Sequence, residues 1–130
     1  MAQNTSPIFE LVPTDHGVQF TSADTTTMKS IQTGGTNGTR IDAIYVSTND
    51  TAAVNLAFYI NDTVTDFYIG NVVVAIGSGY TTVARVDAMA TLSPRLGYLV
   101  LPSGYILKAN CVATMTAAKT TDVLATGGDY

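Results

Sequence analysis

Charge is what this sequence has least of. Its 130 residues carry six Lys and Arg and ten Asp and Glu, 12% together, about half the roughly 25% of an ordinary soluble domain. The six cations, Lys29, Arg40, Arg85, Arg95, Lys108 and Lys119, are scattered, and the net charge is −4. Phosphate binding needs clustered cations, so no nucleic-acid partner is expected. Tryptophan is absent, and there is one cysteine, Cys111, and one histidine, His16. A single cysteine excludes an internal disulfide, and its apolar surroundings fit a small core residue better than a nucleophile. His16 follows Asp15 and precedes Gly17, with Pro13 upstream, which reads as a solvated surface turn and not as an oriented base. With so little to build from, the expectation is no enzyme, no catalytic residue, no metal ligand and no cofactor. Long apolar runs are also missing. Residues 72–76 and 98–101 fall far short of the roughly 20 residues that span a bilayer, so no membrane contact is expected. Met1-Ala2-Gln3-Asn4-Thr5-Ser6 has neither the basic nor the apolar region of a secretory signal, and the expectation is a protein made and used without export.

What is present is apolar and hydroxylic. Hydrophobic residues make up 46%, and Thr, Ser and Asn supply most of the polarity. A chain of this length buries roughly 65–70% of the surface it exposes when unfolded, enough for one core. A surface poor in Lys and Glu is readily covered by a partner, although strand propensity alone also favours a threonine-rich composition.

The chain divides into short strands separated by turn signals. Residues 38–48 follow Gly34-Gly35-Thr36-Asn37-Gly38 and are rich in β-branched and aromatic residues. Residues 54–61 alternate, with Val54, Leu56, Phe58 and Ile60 on one face and Asn55, Ala57, Tyr59 and Asn61 on the other, as in a half-buried antiparallel strand. Residues 64–69 and 72–76 read as two further strands, the second covered on both faces. Between residues 81 and 91 the spacing of Val83, Val86, Met89 and Ala90 predicts one short helix or helical turn, stopped at Ser93-Pro94. Residues 96–101 and 105–116 read as a strand pair joined by the tight turn Pro102-Ser103-Gly104, and residues 121–125 as a last strand. With residues 18–20 and 26–33, the fold class is all-β, an antiparallel β-sandwich or jelly roll of about eight strands with one short helix. Residues 1–13 stand apart. Ser6-Pro7-Ile8-Phe9-Glu10-Leu11-Val12-Pro13 is apolar and bracketed by prolines that favour extended backbone. It fits either an arm reaching a neighbouring subunit or a first strand along its own sheet edge, with residues 14–130 as the single β-sandwich domain.

Motifs for chemistry are few. Asn61, Asp62 and Asp66 offer oxygens, but the ligand spacing and terminal Glu of a calcium loop are absent, so they read as loop and strand edge. Gly34 to Gly38 is glycine-rich without the Gly-Lys-Ser/Thr of a phosphate loop. The Asn-x-Ser/Thr triplets at Asn4, Asn37, Asn49 and Asn61 read as coincidence in a threonine-rich chain. Seven tyrosines remain, of which Tyr80, beside Gly79, and the terminal Tyr130 are placed to make contacts.

Three stretches carry a family resemblance: Gly34-Gly35-Thr36-Asn37-Gly38-Thr39-Arg40-Ile41, Ile44-Tyr45-Val46-Ser47-Thr48-Asn49-Asp50 and Leu56-Ala57-Phe58-Tyr59-Ile60. Leu101-Pro102-Ser103-Gly104-Tyr105-Ile106-Leu107 and the ending Ala125-Thr126-Gly127-Gly128-Asp129-Tyr130 add to it, and the resemblance extends over about two thirds of the chain. Together they resemble small structural proteins of tailed bacteriophages, of the capsid decoration or cement type. The resemblance implies a non-enzymatic virion protein on the capsid surface, made in the host cytoplasm. It would bridge subunits of the major capsid protein, as a homo-oligomer such as a trimer. On that reading Ile8, Phe9, Leu11, Val12, Tyr80 and Tyr130 are the expected interface. The rival expectations are a tail or baseplate protein, and a carbohydrate- or receptor-binding module that stacks sugars on Tyr80.

Overall fold

The alternating run at residues 54–61 lies at the centre of one of two antiparallel sheets. In the computed structural model, which describes residues 12–130, the strands are β1 (Val12–Thr21), β2 (Lys29–Thr33), β3 (Thr39–Thr48), β4 (Val54–Asn61), β5 (Asp66–Val74), β6 (Val86–Asp87), β7 (Leu99–Leu101), β8 (Ile106–Cys111) and β9 (Thr120–Asp129). A 3₁₀ turn covers Ser22–Asp24, and the one α-helix among the described residues, α1, is Met89–Leu92. The first sheet runs β1-β9-β3-β6, with β7 also on β3, and the second runs β2-β8-β4-β5.

The pairings are nested. β1 pairs with β9, β2 with β8, β3 with β6 and β7, and β4 with β5, all antiparallel. This is one long hairpin folded over into two sheets of four strand positions each, with β6 and β7 together filling one position of the first. It is the strand order of a jelly roll, so the expected all-β sandwich is the fold observed.

Each inner face supplies alternate residues to a common core. Ile41, Ile44, Val46, Val123, Ala125 and Phe20 of the first sheet meet Val54, Leu56, Phe58, Val72, Val74, Leu107 and Ala109 of the second. Leu56 and Phe58 are fully buried, in keeping with the alternation. Met89 and Ala88 close one open side, where α1 packs on β5 and β3. Cys111 is 1% exposed, and burial pushes its thiol up to about 11. Thiolate is the reactive form, so Cys111 is expected to ignore a disulfide reagent at pH 8 until denaturant is added. Prompt stoichiometric labelling of the native protein would contradict this placement.

Several local expectations change. The two strands expected over 64–69 and 72–76 are the single strand β5, kinked where the register with β4 slips between Phe58 and Tyr59. Nor are residues 72–76 covered on both faces, since Val73 and Ile76 are 64% and 56% exposed. β5 is an edge strand with only one face on the core. The turn at Pro102-Ser103-Gly104 is present, closed by the Tyr105 N–H on the Pro102 carbonyl at 3.0 Å. It does not join a pair, however, because β7 lies on β3 in one sheet and β8 on β4 and β2 in the other. The expected helix shrinks to α1. Residues 81–85 are loop, and Asp87, at the end of β6, accepts hydrogen bonds from the amides of Ile44 (3.3 Å) and Met89 (3.0 Å), so the helix starts only there. His16 lies in exposed strand and not in a turn, paired with Ala125. Val12 and Pro13 are the first residues of β1, opposite Asp129 and Gly128. The strand-edge alternative therefore holds for these two residues, and the rest of the expected arm lies outside the described residues.

Candidate functional site

The register places the expected contact residues at opposite ends of the sandwich. At one end Val12 opposes Asp129, Asp129 opposes Thr39, and Thr39 opposes Leu101. In the other sheet the row Asp66, Asn61, Ile106 and Thr33 lies at this same end. The crossing is tied by Gly34, whose amide donates to Tyr105 O at 2.7 Å and whose carbonyl accepts from Gly104 at 3.1 Å. Tyr130 is beside Val12, its amide bonded to Gly38 O at 3.1 Å. Val12, Val64 and Phe67 project here with 56%, 85% and 53% of their surface exposed. Residues 1–11 join the domain at this end because β1 begins there. Ile8, Phe9 and Leu11 lie outside the described residues.

Phe67 and Val64 were not singled out from sequence. The strand pattern puts Phe67 opposite Ile60 on the inward face, yet it lies beyond the core at the hairpin tip. That tip is rigid for a loop. Asp62 accepts from the amides of Val64 (3.0 Å) and Thr65 (2.7 Å), and the Asn61 side chain bridges Thr63 N and Asp66. The amides of Thr65 and Val64 hold the Asp62 carboxyl below its ordinary range. The oxygens of Asn61, Asp62 and Asp66 are thus engaged in building the turn, and the exposed Val64 is presented on a fixed scaffold.

Tyr80 is at the other end. The loop 75–85 is pinned by Ser78, which is fully buried, its amide and hydroxyl on Ala75 O and its carbonyl accepting from Thr48 N at 2.9 Å. This lays Tyr80 over the outer face of the first sheet, where its hydroxyl donates to Asp122 at 3.0 Å. Gln19 Nε2 takes the other Asp122 oxygen at 2.8 Å. The hydrogen bond to Asp122 raises the Tyr80 hydroxyl above the ordinary tyrosine range. Beside it the Arg85 guanidinium stacks 3.8 Å from the Tyr45 ring centroid, and further along β3 Arg40 stacks 4.1 Å from that of Tyr98. Two of the six cations therefore sit over tyrosine rings. Tyr80 and Tyr130 flank opposite ends of β9, about 25 Å apart at ~3.3 Å per residue, so the structure does not combine them into one site. Val12 and Tyr130 are the expected pair that it does bring together.

A third feature went unread in the sequence. Asp50, between β3 and β4, is only 2% exposed. Its Oδ1 accepts from Ala52 N (3.0 Å) and Thr116 Oγ1 (2.6 Å), and Oδ2 accepts from Thr116 N (3.1 Å). Burial pushes its carboxyl up, but the Thr116 hydroxyl and the amides of Ala52, Thr116 and Thr51 outweigh it, and the group lies below the ordinary value of 3.8. Asp50 thus staples the β3–β4 loop to the loop after β8. The only hint in the sequence is Asn49-Asp50-Thr51, an Asx-turn signature. Asp50→Ala is expected to lower unfolding free energy by about 2–3 kcal/mol, since several buried donors lose their acceptor. The sign with pH follows: a carboxyl lowered on folding contributes stability above its unfolded value that is lost as pH falls through the lower folded one. Denaturant titrations are thus expected to show a stability difference between wild type and Asp50→Ala that narrows below about pH 3.8. A constant gap down to pH 2 would contradict the carboxylate's role.

No protein-family model, curated protein or solved structure matches this chain. The jelly-roll order defines the fold class and hosts many functions, so function has to be argued from these surfaces.

Proposed function

We propose that this protein is a capsid decoration, or cement, protein that stabilises a phage head by bridging subunits of the major capsid protein. The observation that carries the reading is the Val12 end. There Val12 is exposed on β1, the strand that the apolar segment Ile8-Phe9-Glu10-Leu11 leads into, and Val64 and Phe67 are exposed at the β4–β5 tip on the opposite edge of the same end, on a chain with only 12% charged residues. Large apolar side chains exposed across one end of the sandwich, with few charges to desolvate, suit a docking surface that spans that end. A protein that binds the assembled lattice in preference to free subunits stabilises the shell by mass action, and a homo-oligomer multiplies that gain through avidity.

The test is co-sedimentation with mature heads that lack the protein. Val64→Ser/Phe67→Ser is expected to weaken binding at least tenfold, the loss of about 1.4 kcal/mol or more, with the melting temperature within a few degrees of wild type because both side chains are exposed. Deleting residues 1–11 keeps β1 whole, so the truncated domain is expected to fold and to lose head binding. Wild-type protein that fails to sediment with heads would overturn the cement reading and direct attention to tail assemblies.

A further inference from the structure

The edges of the two sheets are not alike. β1 carries Pro13, Asp15 and His16, β2 begins at Lys29 and slips register between Ser30 and Gln32, and β6 and β7 have two and three residues. Prolines, charges, bulges and shortness all keep an edge from pairing with another chain. β5 has nine residues and no charge after Asp66, and the next charged residue is Arg85. Its one irregularity, opposite Phe58 and Tyr59 of β4, leaves residues 70–74 in regular register beyond it. On its outer face Tyr68 and Val73 are 57% and 64% exposed. Among the described residues no backbone hydrogen bond outside the β4 ladder reaches residues 66–74. The alternate amides and carbonyls that an antiparallel edge turns outward therefore have no partner in that part of the chain. Nor does α1 cover this edge. Gly70 faces inward, opposite Phe58, and a Cβ there would meet Leu92 Cδ2 at 3.1 Å, so α1 lies beneath β5 and not beside it.

We propose that the free edge of β5 receives residues 6–11 of a neighbouring copy, which add to the second sheet as an antiparallel strand and link the copies into a ring. Main-chain hydrogen bonds supply the affinity in such strand addition, and the apolar segment meets an edge without charges. Three observations select this occupant. First, β9 ends at Asp129, opposite Val12, so among the described residues no strand of the first sheet is left to pair with the segment before Val12. Second, the direction fits. β5 starts at Asp66, at the Val12 end, and runs away from it, so a strand antiparallel to β5 runs towards that end, as Ser6-Pro7-Ile8-Phe9-Glu10-Leu11 must to arrive at Val12. Every copy then points its Val12 end the same way, as docking on one shell requires, whereas pairing β5 with a second β5 would point the ends apart. In this respect the inference rests on the cement reading. Third, β1 and β5 lie at opposite edges, so the segment leaves one side of a copy and its receptor is on the other, the heterologous arrangement that closes into rings. A copy's own β5 is about 17 Å from Val12, from three strand spacings of ~4.8 Å and ~10 Å between sheets. Crossing that distance would use about five residues at ~3.3 Å each, the apolar ones next to Val12.

The first measurement is sedimentation velocity of the full chain, which is expected to show a discrete oligomer. Val73→Asp sets a carboxylate beside the added strand and its Glu10, at a side chain that is exposed in the single copy. It is expected to weaken association at least tenfold and to leave the fold intact, while His16→Asp, on the other edge, leaves association unchanged. To identify the occupant, chains with p-benzoyl-phenylalanine in place of Phe9 are co-refolded with heavy-isotope chains and irradiated. The expected product joins position 9 of a light chain to residues 66–76 of a heavy one. A full chain that sediments as a monomer at every concentration, a Val73→Asp protein that associates like wild type, or crosslinks confined to the same copy or to another segment would each overturn the proposal. The outcome is separable from head binding: an oligomer joined through β5 that does not co-sediment with heads rejects the cement reading alone, and a monomer that does co-sediment rejects the strand exchange alone.

Discussion

Gly127→Ala is expected to destabilise the protein by about 3 kcal/mol or more, a large effect for adding one methyl group. Gly127 sits in β9 opposite the point where β3 slips register between Ile41 and Ala43. The irregularity throws Asp42 outward, exposed and ion-paired with Arg40 at 2.7 Å, and draws the β3 backbone onto β9. A Cβ on Gly127 would overlap the Arg40 carbonyl oxygen, with Ile41 Cα 3.0 Å away. Those atoms are backbone in a central strand, so no rotamer change relieves the clash and the ladder itself has to shift. Gly17→Ala is the matched control. It lies on the edge strand β1, where an added Cβ meets Val123 O at 3.4 Å and Leu124 Cδ1 at 3.5 Å, ordinary contacts. A less flexible unfolded chain then makes that change neutral or stabilising by about 0.4–1 kcal/mol. Urea melts of the two variants are the measurement. Similar midpoints would mean that β3 and β9 do not approach as described.

The second large effect is Phe58→Ala, expected at about 3–5 kcal/mol. Phe58 is fully buried at the middle of β4. Its cross-strand partners are Ala109 on β8 and Gly70 on β5, which are too small to collapse into the space left. Small neighbours on both sides keep the cavity open, and the loss then includes the cavity term as well as the transfer term. Total stabilities of single domains are about 5–15 kcal/mol. At roughly 3–5 °C per kcal/mol for a chain of this size, the melting temperature should fall by on the order of 10–20 °C. A fall of under 5 °C would show that the core around Phe58 is looser than the burial of its neighbours indicates.

The elements best read from sequence were those whose large apolar residues alternate. In β4 the alternation from Val54 to Ile60 put Val54, Leu56 and Phe58 on the core face as expected, but the other face is not wet, since Ala57 and Asn61 are also buried. The reading failed in β5. Gly70 suggested a break between two strands, but the glycine is paired with Phe58 beside a bulge within one strand, with Tyr68 and Asn71 paired on either side. At residues 81–91 it held only at the end: the one short helix forms at Met89–Leu92 and stops at Ser93, while residues 81–85 are loop and Val83 is 41% exposed. The turn at Pro102-Ser103-Gly104 was read correctly as a turn. Its partners were not, because a tight turn and a corner between sheets use the same residues, and only the distant pairings of β7 with β3 and β8 with β4 separate the two.

The contact residues divide in the same way. Tyr80 was legible as a tyrosine beside a loop glycine and Tyr130 as the terminal residue, but the distance between them was not. Phe67 and Val64 looked like ordinary strand and loop residues until the end of the core was known. Asp50 gave only a local turn signature, since its acceptor role depends on Thr116, 66 residues away.

The sequence by itself determined an all-β chain with one core and a charge-poor, hydroxyl-rich composition, because strand period, turn residues and composition are local properties. Tertiary structure alone decided the nested jelly-roll pairing, the gathering of Val12, Val64, Phe67 and Tyr130 at one end, and the buried Asp50 at the other. Those features depend on which distant strands share a ladder and where the core stops, and no short stretch of the chain encodes either.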